Sequence, residues 1–352
     1  MNVNASHADT TAAGAPEGLP GFRFALEQQP AKTGHGGSAR EASADHFPVS
    51  KGIAGVSMRL APGSMRELHW HANAAEWAYV ESGHCRITIY GPDGAKDVAD
   101  FGPGDVWYFP RGHGHSIQGL GPGDCHFVLI FDNGYFSEFA TFSFSDWLAH
   151  TPKEVLAKNL HVPESTFDTF PKSEVYFAQG PVPPPLPAPR RGAPLPPHKY
   201  RLEAQQPRLF HGGTVRLVSA REFPISKTMT GAIMRLERGA LRELHWHPNA
   251  DEWQYVLAGR MRMTVFASSG RAETVELSQG DVGYVPQGYG HYLENIGNDE
   301  CRMLLAFNSG EYQEIGLTGW IASNPQLLVA TNLGVPEKVV AEFPKQTVFI
   351  AD

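Results

Sequence analysis

The chain has 352 residues, which predicts two domains, each long enough to bury its own core. A net charge of −8, a pI of about 6.0 and the lack of any basic block exclude a nucleic-acid binder. No apolar run approaches the roughly 18 residues of a membrane-spanning helix, so no membrane partner is expected.

The 37 glycines, 28 prolines and 11% aromatic residues favour many short strands joined by turns. Cys85, Cys125 and Cys301 are odd in number and lack CxxC spacing, so no disulfide framework is expected and a reducing compartment is tolerated. In chain order, residues 1–20 are small and polar. They lack the apolar core of a secretory signal, and the expectation is a disordered tail on a cytoplasmic protein.

Residues 21–179 form the first expected domain. Short apolar runs such as CRITIYG (85–91), DVWYFP (105–110) and HFVLIFD (126–132) are read as alternating strands of an antiparallel sandwich or barrel. A helix should follow, with Thr151 as its cap, Pro152 at its first position and Glu154 at its third. Half of residues 180–197 are proline, so 180–198 reads as an extended linker. Residues 199–352 form the second expected domain, again ending in helix.

The two domains repeat each other. MRLAPGSMRELHWHANAAEWAYVESG (58–83) returns as MRLERGALRELHWHPNADEWQYVLAG (234–259), an offset of 176 residues. The same offset relates His115 to His291. DWLAHTPKEVLAKNL (146–160) returns as GWIASNPQLLVATNL (319–333) at an offset of 173, so the second copy is three residues shorter after its last strand.

His69 and His71 are two apart, which in a strand places both imidazoles on one face. Glu76 follows after a turn, and His115 follows the turn Pro110-x-Gly112. The second copy gives His245, His247, Glu252 and His291 at identical spacing. A lone histidine in a barrel is usually a core or surface residue, but a matched quartet occurring twice reads as two metal sites. Three imidazoles and a carboxylate suit Mn, Fe, Ni, Co or Zn and leave coordination positions for a chelating anion. Arg66 stands three residues before His69, and Arg242 holds the same place in copy two. Such a guanidinium can clamp a carboxylate bidentately.

GSMRELHWHANAAEWAYVESG and GDVWYFPRGHGHSIQG resemble the two motifs of the cupin superfamily. RELHWH in both copies, DVWYFP and DWLAHTPKEVLA resemble bicupin oxalate decarboxylases more closely. The resemblance implies an all-β fold of two double-stranded β-helix (jelly-roll) barrels, each followed by short C-terminal helices. It implies one manganese per barrel, held by His69, His71, Glu76 and His115 and by His245, His247, Glu252 and His291. It further implies oxalate as substrate, formate and carbon dioxide as products, dioxygen as co-catalyst, and a homotrimer or hexamer. By the same resemblance Glu138, on a lid, is the proton carrier of the N-terminal site, and Arg66 binds the substrate. Phe139 and Ala140 depart from the family's lid, and Gly119 stands where the motif often has the asparagine kept at Asn295. Some relatives place a glutamate where this chain has Leu305, so the chemistry is expected in the N-terminal barrel. Three alternatives are an oxalate oxidase on the same scaffold, a non-catalytic metal- or carboxylate-binding bicupin, and another cupin enzyme such as a dioxygenase or sugar isomerase.

Overall fold

A computed structural model describes residues 19–137, 141–188, 190 and 192–352. Each sequence copy builds a pair of antiparallel sheets. In the first copy a 7-stranded sheet runs, by strand, Lys199–Arg201, Asp105–Phe109, Glu76–Ser82, Cys125–Phe131, Ala54–Leu60, Gly37–Ala42, Lys32–Gly34. Facing it is a 6-stranded sheet in which Ser64–His71 pairs with Gly114–Gly119, Thr141–Ser143 and Phe177–Gln179. The second copy repeats both sheets. The molecule is thus mostly β, with two barrels and a few short helices, as the repeat predicts.

The strand Cys125–Phe131 departs from the expected alternation, because all of it is buried. Phe127, Leu129 and Phe131 face the first barrel's own core, whereas Val128 and Ile130 belong to a second core shared with the other barrel. Its neighbours follow the same rule. Trp77, Tyr79, Val106 and Tyr108 look outward to the second barrel, and Ala78, Val80, Trp107 and Phe109 look inward. A sheet covered on both faces reads as a continuous apolar run.

Contact between the barrels follows the duplication. The indole of Trp253 packs where a Cβ on Gly55 would lie 2.2 Å from it, and Trp77 meets Gly231 in the same way. Only glycine admits an indole this close to the strand backbone. Strands also cross over. Arg23–Phe24 extends the second copy's sheet at Val282–Val285, while Lys199–Arg201 extends the first copy's sheet at Asp105–Phe109. We propose a division into 21–179 and 199–352 joined by 180–198, with each domain lending its first strand to the other.

Glu27 fastens this exchange. Its backbone N–H donates to Gly280 O, and its carboxylate accepts from Ser57, from Arg59 at 3.0 Å and from Tyr255 at 3.1 Å. Burial pushes the carboxyl upward, but the Ser57 and Arg59 contacts outweigh burial and hold it below the ordinary glutamate value. A lowered folded value means stability that is fully present above about 4.5 and lost as pH falls through the lowered value. Glu27→Ala should therefore cost about 2 kcal/mol at pH 7, with the deficit shrinking in acid. Urea unfolding of both chains at pH 7 and pH 4 checks this.

The helices differ in detail from the sequence expectation. They are α1 (Phe144–Ala149), α2 (Lys153–Leu160), α3 (Leu317–Ala322), α4 (Gln326–Leu333) and α5 (Glu337–Val340). Pro152, not Thr151, occupies the cap of α2, and no side chain caps that helix. The Thr151 hydroxyl donates instead to Trp147 O at 2.8 Å, closing the end of α1. Two helices one short turn apart compete for this threonine, and the preceding carbonyl takes it.

Candidate metal centres

His69 and His71 project from Ser64–His71, and His115 lies opposite His69 on the paired strand. Glu76, the first residue of Glu76–Ser82, reaches them from the other sheet. One ligand atom from each of the four lies within 4.8 Å of all the others, and every one of these residues is buried. His245, His247, Glu252 and His291 form the same cluster in the second barrel.

The hydrogen bonds around the rings show what the clusters are for. Each Nδ1–H points outward: His69 to Glu67 O at 2.6 Å, His71 to Thr141 Oγ1 at 2.9 Å and His115 to His113 O at 2.9 Å. The Thr141 hydroxyl donates to Phe136 O, so its oxygen is free to accept. In the second barrel the acceptors are Glu243 O, Gln313 O and Tyr289 O at 2.7–3.1 Å. These outward bonds fix the tautomer, and the Nε2 lone pairs are left facing inward.

Burial drives the His69 and His245 pKa values well below normal and brings His71 to about 4, despite the Glu76 carboxylate beside it. Those rings are neutral at mildly acid pH. The contact of 3.2 Å from Glu76 Oε2 to Nε2 of His71 is then acceptor against acceptor, and His115 Nε2 lies 3.3 Å from the same oxygen. His115 Nε2 is buried with no hydrogen-bond partner. Converging lone pairs without a proton call for a cation. The two quartets fit two metal ions.

Each carboxylate is also aimed. Trp107 Nε1 donates to Glu76 Oε1 at 2.8 Å, leaving Oε2 toward the histidines. In the second barrel Gly283 stands opposite Gln254, as Trp107 stands opposite Ala78. There Gln254 Nε2 supplies the bond to Glu252 Oε1 at 2.7 Å. The donor has moved across the strand pair while the bond has stayed. Nothing in the spacing of the motif signals this role of Trp107.

Glu67 and Glu243, inside the repeated REL segment, were also missed. Glu67 is buried and accepts the backbone N–H groups of Ser145 and Tyr176, and Glu243 accepts those of Thr318 and Phe349. They tie a helix start and the last strand to the ligand strand. The twofold repetition of REL was the available signal.

Arg66 is 3% exposed, donates to Tyr176 O at 3.3 Å and lies 3.8 Å from the centre of the Tyr176 ring. It opens with His69, His71, Ser137, Thr141 and Tyr176 onto one cavity of about 350 Å³. Glu138, Phe139 and Ala140 lie outside the described residues. Leu305 has Leu129 at the corresponding position, and Leu129 lines the first cavity. The leucine therefore does not distinguish the barrels. Their difference lies in the segment that follows, which runs from 132 to 141 before Phe142 pairs with Trp70, but only from 308 to 314 before Ile315 pairs with Trp246.

Comparison with known proteins agrees with this geometry. The cupin family model matches residues 24–167 and again 201–341. Oxalate decarboxylase OxdC of Bacillus subtilis is 44% identical over 317 residues, covering 89% of this chain and 82% of that protein. A structure of the B. subtilis oxalate decarboxylase at pH 4.6 superimposes with a TM-score of 0.88 at 40% identity, covering 96% of this chain and 90% of that one. Another, of the enzyme studied for its Mn(II) centres, gives 0.87 over 95% and 89%. Two cupin matches in one chain, two buried His₃Glu quartets and this extent of likeness place the chain in the bicupin oxalate decarboxylase family.

Proposed function

We propose that this chain splits oxalate into formate and carbon dioxide in its N-terminal barrel. The observation that carries the proposal is a single small cavity walled by Arg66 together with His69 and His71 of the first quartet. Manganese is the proposed metal in both barrels, supported by the Mn(II) centres of the similar B. subtilis enzyme, and dioxygen the proposed co-catalyst. His69, His71, Glu76 and His115 would hold the first ion, and His245, His247, Glu252 and His291 the second. Bound manganese supplies a Lewis acid and a one-electron couple at the cavity wall.

The chain's own groups do the rest. Arg66, buried and backed by the Tyr176 ring, holds one carboxylate of oxalate and offsets the acidic background of the molecule. Glu138 takes the proton of mono-protonated oxalate. When the C–C bond breaks and carbon dioxide leaves, Glu138 returns that proton to the remaining carbon, giving formate with no net redox change. Arg66→Ala should lower kcat/KM for oxalate by about 10²-fold or more, the scale for truncating one partner of a buried charged pair. Steady-state formate release at unchanged metal content measures it, and wild-type rates in that variant would remove Arg66 from substrate binding.

We also propose a homotrimer or hexamer. Its support is the apolar groove of about 840 Å³ along α3 and α4, where Trp320, Leu327, Leu328 and Leu333 are all more than half exposed. That groove is larger than the Arg66 cavity but holds no ionisable or metal-ligating side chain, so it is no reaction site. A cytoplasmic location is proposed on the three buried, unpaired cysteines. No helix among the described residues is long and apolar enough to cross a membrane.

A further inference from the structure

We infer that the carboxylate-binding position of the second barrel is already filled, by the chain's own Glu314. The inference rests on the reading that Arg66 receives a substrate carboxylate in the first barrel. Arg242 is the counterpart of Arg66, and the two sit alike: Phe349 gives Arg242 a backbone acceptor at 3.1 Å and a ring 3.8 Å away, as Tyr176 does for Arg66.

They differ in what meets the free edge of the guanidinium. Arg242 Nη2 donates to Glu314 Oε2, and the same oxygen accepts the Tyr312 hydroxyl at 2.6 Å. Arg242 has 1% of its side chain exposed and Glu314 19%, so this is an enclosed ion pair, not a surface one. Among the described residues Arg66 makes no ion pair with a carboxylate. Burial keeps the Tyr312 hydroxyl protonated well above the usual tyrosine range, which preserves it as a donor.

The strap that carries Glu314 is held on both sides. Gln313 O accepts from His247 Nδ1 at 2.7 Å, and Ile315 and Gly316 pair with Trp246 and His245. In the first barrel the residue before the matching pair is Thr141. Its short hydroxyl takes over the bond to His71 Nδ1 and lines the cavity. A threonine at this place leaves room beside the arginine, and a glutamate occupies it with the functional group that a small carboxylate would bring. Among the described residues, therefore, Arg242 carries a carboxylate of the chain and Arg66 does not, and Glu314 sets that asymmetry.

Calorimetric titration of manganese-loaded chains with oxalate tests it. Arg66→Ala, which disables the first clamp, should show little saturable binding. Arg66→Ala with Glu314→Ala should bind one oxalate per chain, at least about tenfold tighter. Adding Arg242→Ala should abolish that gain. No gain in the double variant with both metals retained overturns the inference. Where the alanine variant loses metal, Glu314→Gln, which keeps the shape and removes the charge, takes its place. Crystals of the unmutated chain soaked in oxalate without dioxygen provide a reading free of variants. Oxalate beside Arg66, with Glu314 still on Arg242, is expected. Oxalate on Arg242 with Glu314 displaced contradicts the inference, whereas no oxalate beside Arg66 contradicts the proposed function instead.

Discussion

Glu76→Gln should leave the chain with one tightly held metal ion instead of two and with almost no formate production. Glu76 is the only anionic member of its quartet and is 1% exposed. A glutamine fits the space and can still accept from Trp107. It brings no charge, and three neutral imidazoles then face the cation alone. Removing one partner of a buried charge pair costs about 3–5 kcal/mol, which is about 10²–10⁴-fold in metal affinity. Metal analysis of the purified variant, with formate release measured on the same sample, gives both readings. Two ions per chain at wild-type affinity would show that Glu76 is no ligand.

Glu138→Gln should lower formate production by about 10²-fold or more, the usual worth of a positioned proton carrier. Glutamine can neither take the proton from oxalate nor return it to carbon. Residual turnover should move toward hydrogen peroxide and two molecules of carbon dioxide, because the electron-rich fragment left without its proton gives its electrons to dioxygen. Ser137 donates to Glu41 at 2.8 Å, and Ser137 and Thr141 both line the Arg66 cavity. The ratio of formate to peroxide in this variant is the measurement, and an unchanged ratio and rate would take Glu138 out of the reaction.

Much of the candidate site is legible in the sequence. His69 and His71 at a spacing of two, with Glu76 and His115 following, define a cluster because strand geometry sends alternate side chains to one face. The duplication then removes chance as an explanation. What escaped depends on contacts between segments far apart in sequence. The trade of Trp107 for Gln254 is visible only when Ala78 is known to face Trp107 and Gln254 to face Gly283. The exchange of Arg23–Phe24 and Lys199–Arg201 between the barrels has no local signature, since two or three extended residues look like any loop. Burial of Cys125–Phe131 on both faces requires knowing that a second barrel covers the first. Leu305 drew attention as a missing glutamate, but Glu314 sets the barrels apart, and its reach to Arg242 follows from a shortened segment whose path the sequence does not reveal.

Product balance tests the central claim most directly. The manganese-loaded chain is incubated with a known quantity of oxalate under air at mildly acid pH, and formate, carbon dioxide and hydrogen peroxide are measured together. One formate and one carbon dioxide for each oxalate consumed, with peroxide only in trace, is the expected result. Two carbon dioxide with matching peroxide and no formate, or oxalate left untouched by fully loaded protein, would contradict it.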